Sequence, residues 1–251
     1  MDILSTHSLS IGYQSKILLE NINLTLEKGR LICLLGQNGV GKSTLLRTLS
    51  NIQAPLRGTI CIEGNGFKEI TRNELARKIG IVTTERIGVS NMSVRNLVAL
   101  GRFPYTDWWG KEKKEDELAI NQAIEICKIN YLENSKLGEL SDGQYQKAMV
   151  ARVLAQDTEI ILLDEPTAHL DIVNRFEIFK LLAEIKKEKN KAILVSTHEL
   201  DLSIKYADDL WLMDYNRPII CGSTKEVVES GAIQEIFHTE DNKVDISHLL
   251  T

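Results

Sequence analysis

Cysteine is scarce, basic charge is outweighed by acidic charge, and long apolar runs are missing. The four cysteines, Cys33, Cys61, Cys127 and Cys221, are scattered without C-x-x-C spacing. That excludes a zinc or disulfide framework and suits a reducing compartment, where such thiols act as small core side chains. Acidic side chains outnumber basic ones, 35 to 30, so no footprint for neutralising a phosphate backbone exists and nucleic acid is not expected as a partner. No run approaches the roughly eighteen apolar residues of a membrane helix, and Met1 to Ser10 carry no basic stretch followed by an apolar block. The expectation is a cytosolic chain, held by another protein if it works at a membrane. Internal repeats and low-complexity linkers are absent as well.

What is present is a globular mix, 43% hydrophobic and 26% charged over 251 residues, enough for one large α/β domain with an insertion. Alternation at Ile3, Leu9 and Ile11 leads to the continuous apolar run Leu31 to Leu35, the mark of a strand buried on both faces. Gly58 to Gly64 predicts another strand. Thr71 and Glu74 have capping-box spacing for a helix to about Arg77, and Ile79 to Thr84 returns as a strand. Helical patterning then takes over, with one helix from Ser93, one over the charged stretch Lys111 to Lys128, and one after Ser141. Strand and helix alternate again through Ile160 to Leu163, a helix carrying Phe176 and Phe179 on its core side, and a strand over Ala192 to Ser196. Short strands around Leu210 to Met213 and Ile219 to Cys221 and two small amphipathic helices from Thr224 follow.

Chemistry enters at Gly36 to Thr44, which reads GQNGVGKST between the buried strand and a helix. It fits G-x-x-x-x-G-K-[ST], the P-loop, in which Gly36, Gly39 and Gly41 let backbone N–H groups close on a phosphate where bulkier residues would obstruct. Asn38 and Thr44 belong to the same cradle. Lys42 supplies positive charge to the β and γ phosphates, Ser43 an oxygen for Mg²⁺, and the following helix its positive dipole end. Such a loop needs an acid on the metal side and, for hydrolysis, a base for the attacking water. Asp164, at the end of the strand Ile160 to Leu163, fills the first role and Glu165 the second.

Leu140-Ser141-Asp142-Gly143-Gln144 resembles the LSGGQ signature, which other P-loop families lack, and with it the chain resembles the ATP-binding subunits of ABC transporters along nearly its whole length. Further elements fall in that family's order: Tyr13 resembles the adenine-stacking aromatic, Ala168-His169-Leu170-Asp171 the D-loop, and His198 the switch histidine, alongside the helical insertion and the terminal strands. The resemblance implies an α/β fold: a RecA-like P-loop NTPase core with an N-terminal antiparallel β subdomain and an inserted helical subdomain. Residues 1–251 form a single domain, with 1–84 and 156–251 as nucleotide-binding core and 85–155 as the helical signature subdomain. It implies a head-to-tail homodimer holding ATP and Mg²⁺ between the P-loop of one copy and Ser141, Gly143 and Gln144 of the other. Asp171 lies at the seam, and Lys42, Glu165 and His198 act in hydrolysis. Taken alone, Ser141 is simply a helix cap, His198 a surface or core histidine, and Tyr13 packing.

Two positions depart from the family pattern. A glutamine that senses metal and water is expected after the strand ending near Thr84, where this chain reads Thr83-Thr84-Glu85-Arg86. Thr84 occupies the glutamine's place by spacing, and Glu85 beside it is the candidate to offer the metal an oxygen; a solvated loop acid is the alternative. Asp142 replaces a glycine of the signature, where a carboxylate repels a γ-phosphate unless it points away, although a helix start favours negative charge.

Val98 to Tyr105, followed by Trp108-Trp109-Gly110, resembles the insertion of importers for iron-siderophore complexes, haem and cobalamin. That resemblance implies transmembrane permease subunits, an extracytoplasmic substrate-binding protein and a place at the cytoplasmic face of the plasma membrane. The competing reading is a non-transport ABC ATPase such as an iron-sulfur assembly scaffold. A small-molecule kinase is disfavoured by the signature.

Overall fold

A computed structural model describes residues 2–13, 16–106, 113–215 and 217–237. The N-terminal strands are β1 (Asp2–Tyr13), β2 (Lys16–Ile22) and β3 (Thr25–Glu27), followed by the central strand β4 (Leu31–Gly36) and helix α1 (Lys42–Leu49). Next come β5 (Arg57–Ile62), β6 (Asn65–Gly66), α2 (Arg72–Lys78) and β7 (Ile79–Val82). Helices α3 (Val94–Ala99), α4 (Lys114–Ile126) and α5 (Asp142–Ala155) fill the stretch before β8 (Ile160–Asp164). The chain continues with α6 (Ile172–Lys189), β9 (Ala192–Thr197), α7 (Leu200–Tyr206), β10 (Asp209–Met213), β11 (Ile220–Ser223), α8 (Thr224–Glu229) and α9 (Ala232–Phe237).

Two sheets result. One is antiparallel, ordered β2-β1-β5-β6 with β3 also on β1; the other is six-stranded, ordered β11-β10-β4-β9-β8-β7, with every pair parallel except β10 with β11. Every residue of β4 is buried because its two faces serve different cores. Leu31, Cys33 and Leu35 pack with the helical side, and Ile32 and Leu34 with the antiparallel sheet and α1. Each such aliphatic side chain contributes about 1.5–3 kcal/mol by leaving water. A polar residue in this strand would therefore damage one core or the other.

Register then aligns the strand ends. Leu35 of β4 lies beside Thr197 of β9, and Ser196 of β9 beside Asp164 of β8. The loops leaving these neighbouring parallel strands emerge together at their carboxyl ends, the usual place for a ligand crevice in such sheets.

The helical stretch has its own anchor. Arg102, buried, donates from Nε to Asp116 Oδ1 at 2.8 Å and from Nη1 to the Ala155 carbonyl at 2.9 Å, with Tyr105 stacked 3.9 Å from its guanidinium. These bonds tie α4 and the end of α5 to the 3-10 turn Leu100–Tyr105. No helix among the described residues is long and apolar enough to cross a membrane.

Several sequence expectations are corrected. Phe176 is 41% exposed while Phe179 is fully buried: three positions on a helix rotate a side chain by about 60° from its neighbour, and the core contact of α6 begins only at Ile178. Lys205 Nζ sits 5.2 Å over the Phe176 ring instead. The strand expected to reach Thr84 stops at Val82, where pairing with β8 ends. Of the cysteines, Cys33 and Cys127 are buried, but Cys61 is half-buried and Cys221, on an edge strand, is exposed. The helix expected from Lys111 begins at Lys114; Lys111, Trp108, Trp109 and Gly110 lie outside the described residues.

Candidate functional site

The loop between β4 and α1 turns on Gly39 (φ 82°) and Gly41 (φ 113°), left-handed conformations that side chains with a Cβ rarely adopt. Gly41 is the residue before α1 and offers no side-chain cap, so the first amides of the helix remain open to a ligand. Beside them lies a cavity of about 330 Å³ lined by Tyr13, Lys16, Leu18, Gly39, residues 41–44 and Glu165. Tyr13 is 51% exposed, and its hydroxyl shares a hydrogen bond with Thr44 Oγ1 at 2.9 Å. Asn38 enters through its carbonyl, which accepts from the Tyr215 hydroxyl at 3.0 Å.

Lys42 is 4% exposed. Its ammonium donates to the carbonyls of Gly36 at 2.8 Å and Gln37 at 3.2 Å and stands 3.8 Å from Glu165 Oε1. Burial lowers its pKa from the ordinary lysine value, against the pull of Glu165 and Asp164. The ammonium is thus held ready for a second anion with little water to displace.

Asp164 is 2% exposed, and its Oδ1 accepts from Ser43 Oγ at 2.9 Å and from Ser196 Oγ at 2.7 Å. Glu165, at φ 47°, is turned out of the strand line, and its amide donates to both the carbonyl and the hydroxyl of Ser196 at 3.0 Å. A left-handed glutamate costs roughly 1–3 kcal/mol and persists only where its surroundings impose it. Here Ser196 imposes it, a residue that sequence reasoning passed over. The available signal was a serine near the end of a buried strand, just before Thr197-His198.

Two hard oxygens, Ser43 Oγ and Asp164 Oδ1, meet where the loop between β4 and α1 enters the helix. The described residues contain no group of three His, Cys, Asp or Glu side chains suited to a metal. Mg²⁺ fits this donor set, since it takes one or two protein oxygens and completes its shell from water and phosphate.

The remaining candidates stand apart. Ser141 caps α5 reciprocally with Gln144: the Gln144 amide donates to Ser141 Oγ at 3.3 Å and the Ser141 amide to Gln144 Oε1 at 2.9 Å. Gly143 packs so closely on α6 that a Cβ there would strike the Asn174 side chain. Asp171 caps α6, accepting from the Asn174 amide and side-chain nitrogen at 2.8 Å, bonds that hold its carboxyl below the usual range. His198 lies just past β9, 3.3 Å from Glu199 Oε1. None of Ser141, Gly143, Gln144, Asp171 or His198 lines the cavity beside the P-loop.

The loop after β7 divides the two metal-side candidates. Thr84 lines a second cavity, of about 320 Å³, together with Asp164 and Glu165. Glu85 does not; it is 78% exposed and accepts from Arg47 Nη2 at 3.0 Å. Next to it, Arg86 pairs with Asp142 of α5.

Comparison with known proteins gives a consistent result. The profile of the family described as ABC transporter matches residues 19–168. The chain is 35% identical over 229 residues to the ferric enterobactin transport ATP-binding protein FepC of Escherichia coli strain K12, covering 91% of this chain and 84% of that one. It is 32% identical over 240 residues to the iron(3+)-hydroxamate import ATP-binding protein FhuC of Bacillus subtilis strain 168, covering 96% and 89%. Among solved structures, cbiO1 from Clostridium perfringens, part of the ABC transporter complex cbiONQ, superposes with a TM-score of 0.80 at 31% identity, covering 93% of each chain.

Proposed function

The chain belongs to the ABC transporter family, and from that premise we propose that it is the ATP-hydrolysing subunit of an importer for an iron-siderophore, haem or cobalamin type substrate. Family membership makes it an ATPase that works with separate transmembrane permease subunits. Two copies, in this reading, close head to tail on the cytoplasmic face of the plasma membrane, and an extracytoplasmic binding protein delivers the substrate. The names of FepC and FhuC, iron-complex transporters both, support the substrate class. Residues 1–84 and 156–251 act as the nucleotide core and 85–155 as the subdomain that meets the permease. Phe103, 78% exposed on the 3-10 turn Leu100–Tyr105, suits such a contact.

The amides of residues 39–44 and the Lys42 ammonium hold the β and γ phosphates of ATP. Ser43 and Asp164 would hold Mg²⁺, which would supply positive charge against the phosphates. Glu165 orients a water and takes its proton as the water oxygen bonds to the γ-phosphorus; the bond to the β-phosphate oxygen breaks, leaving ADP and inorganic phosphate. Tyr13 turns its ring to the adenine, His198 steadies the γ-phosphate, and Ser141, Gly143 and Gln144 of the other copy close the site. ATP favours the closed pair because only that state contacts it from both sides, and hydrolysis removes the preference.

One observation carries this reading: Ser196, Asp164 and Ser43 form a hydrogen-bonded line that sets Glu165 beside Lys42, while Ser141 is bonded only within its own helix start. The site is half built. Glu165→Gln should cut hydrolysis by about 10²–10⁴-fold and trap a Mg-ATP-dependent dimer, read by sedimentation. Monomers at saturating nucleotide, both free and in the permease complex, would reject the head-to-tail site. Uptake of ferric siderophore, haem and cobalamin by reconstituted vesicles tests the substrate class, and uptake of none of them rejects it.

A further inference from the structure

Asp142, one of the two departures from the family pattern, is met by a residue 56 positions away, in the loop that carries the other. Arg86 Nη2 pairs with Asp142 Oδ1. Two further contacts set the arginine in place: its guanidinium lies 5.1 Å over the Tyr145 ring, and the amide of the next residue, Ile87, donates to the Tyr145 hydroxyl at 2.8 Å. Tyr145 is itself 7% exposed, so it is a fixed platform. Loop and helix start are joined by an ion pair, a ring contact and a backbone hydrogen bond.

The charges around this contact explain its use. Among the described residues lining the shared cavity are the carboxylates Asp142, Asp164 and Glu165, the histidine His169, and Arg86 as the one guanidinium. A triphosphate arriving at Ser141 from a second copy would come close to the exposed carboxylate of the next residue, Asp142. The helix dipole favours an acid there, and no dipole removes its repulsion for phosphate.

We propose that Arg86 is a positioning residue that neutralises Asp142, so that a signature bearing a carboxylate can close on ATP bound to the partner copy. This rests on the head-to-tail reading above. In the free chain both side chains are more than half exposed, at 60% and 51%, where such a pair contributes little to folding. Closure withdraws water from it, and an acid left alone there opposes closure through its own repulsion. The compensation is local: the residue that creates the problem and the residue that solves it touch.

The test compares Arg86→Ala, Arg86→Lys, Asp142→Gly and the double variant. Two readouts are used: the ATP concentration giving half-maximal pairing in a Glu165→Gln background, and KM against kcat in the permease complex. Arg86→Ala should raise both ATP requirements at least about tenfold, as expected for removing one partner of a charge pair that becomes desolvated, with kcat changed less. Arg86→Lys should recover most of the loss. In the double variant the requirement should return to within about threefold of Asp142→Gly alone, since coupled residues are non-additive. Thermal melts of each variant confirm folding, and Arg86→Gln repeats the test should alanine unfold. An unchanged ATP requirement in Arg86→Ala, or a double variant as impaired as Arg86→Ala, overturns the proposal alone. If the Glu165→Gln chain never pairs, the head-to-tail reading falls and this inference with it.

Discussion

The P-loop and the start of α5 are both helix N-termini, and they differ in how much of their chemistry one chain completes. At the P-loop, Lys42 is buried against the carbonyls of Gly36 and Gln37 with Glu165 3.8 Å away, and Asp164 is held by hydroxyls from two different elements. At α5, Ser141 and Asp142 are exposed, and the amide and hydroxyl of Ser141 are occupied by Gln144. A cradle whose groups come from neighbouring parallel strands is preorganised by the core. A cap satisfied by its own helix costs little to expose and is free to meet another molecule. In the proposed reading, binding falls to the P-loop and closure to the start of α5.

Disabling the P-loop and the α5 start separately tests whether they carry different functions. Lys42→Met should remove nucleotide binding by the dilute single chain and lower hydrolysis by about 10²–10³-fold, the usual cost of losing a preorganised charge at a reacting group. Ser141→Ala should leave nucleotide binding by the dilute chain intact, yet abolish ATP-driven pairing and with it hydrolysis. Fluorescent-nucleotide titration and phosphate release separate the two. If Ser141→Ala weakened binding to dilute chain as much as Lys42→Met, both helix starts would serve one site in one chain.

How much of this was legible in the sequence follows from the range of the interactions. The P-loop, the Asp164-Glu165 pair and the Ser141 cap are local: contiguous residues whose spacing states their geometry, and the structure places them at the strand ends and helix starts expected. The partnership of Ser196 with Asp164 appears only in the register that sets β9 beside β8. Asp142 read as a local oddity and Arg86 drew no reading at all; only the packing of the loop after β7 on α5 makes them a pair. Phe176 misled because helical spacing says which residues share a face and not where along the helix the core begins.

The next largest effect concerns the body that carries the signature. Arg102 and Asp116 are buried together. Burial alone would raise the Asp116 pKa, but hydrogen bonds from the Lys113 amide and the Arg102 guanidinium bring it below the ordinary aspartate value. Because the folded value lies below the unfolded one, the stability from this group is fully present above the unfolded pKa of about 3.9 and is lost as pH falls through the folded value. Asp116→Asn leaves a buried guanidinium without its counter-charge and should cost about 3–5 kcal/mol at neutral pH. The deficit should shrink as the wild type is acidified below about pH 4. Urea unfolding at pH 7 and pH 3.5 measures it. A cost under about 1 kcal/mol at pH 7 would class the pair with surface ion pairs and leave the helical body held by apolar packing alone.

The smallest expected effect separates Glu85 from Thr84. Spacing put Thr84 at the place of the absent glutamine with Glu85 beside it, and a metal-side role for Glu85 implies a severe loss on its removal. The structure gives Glu85 a different occupation, an exposed pair with Arg47, whereas Thr84 faces the cavity that holds Asp164 and Glu165. An exposed pair contributes about 0–1 kcal/mol, so Glu85→Ala should change hydrolysis by less than about fivefold and leave its magnesium dependence in place. A magnesium titration of phosphate release decides it. A shift of the magnesium midpoint by an order of magnitude would mean that the loop after β7 swings Glu85 off Arg47 and into the site when nucleotide binds, and that the preorganised half of this comparison is less complete than its buried bonds indicate.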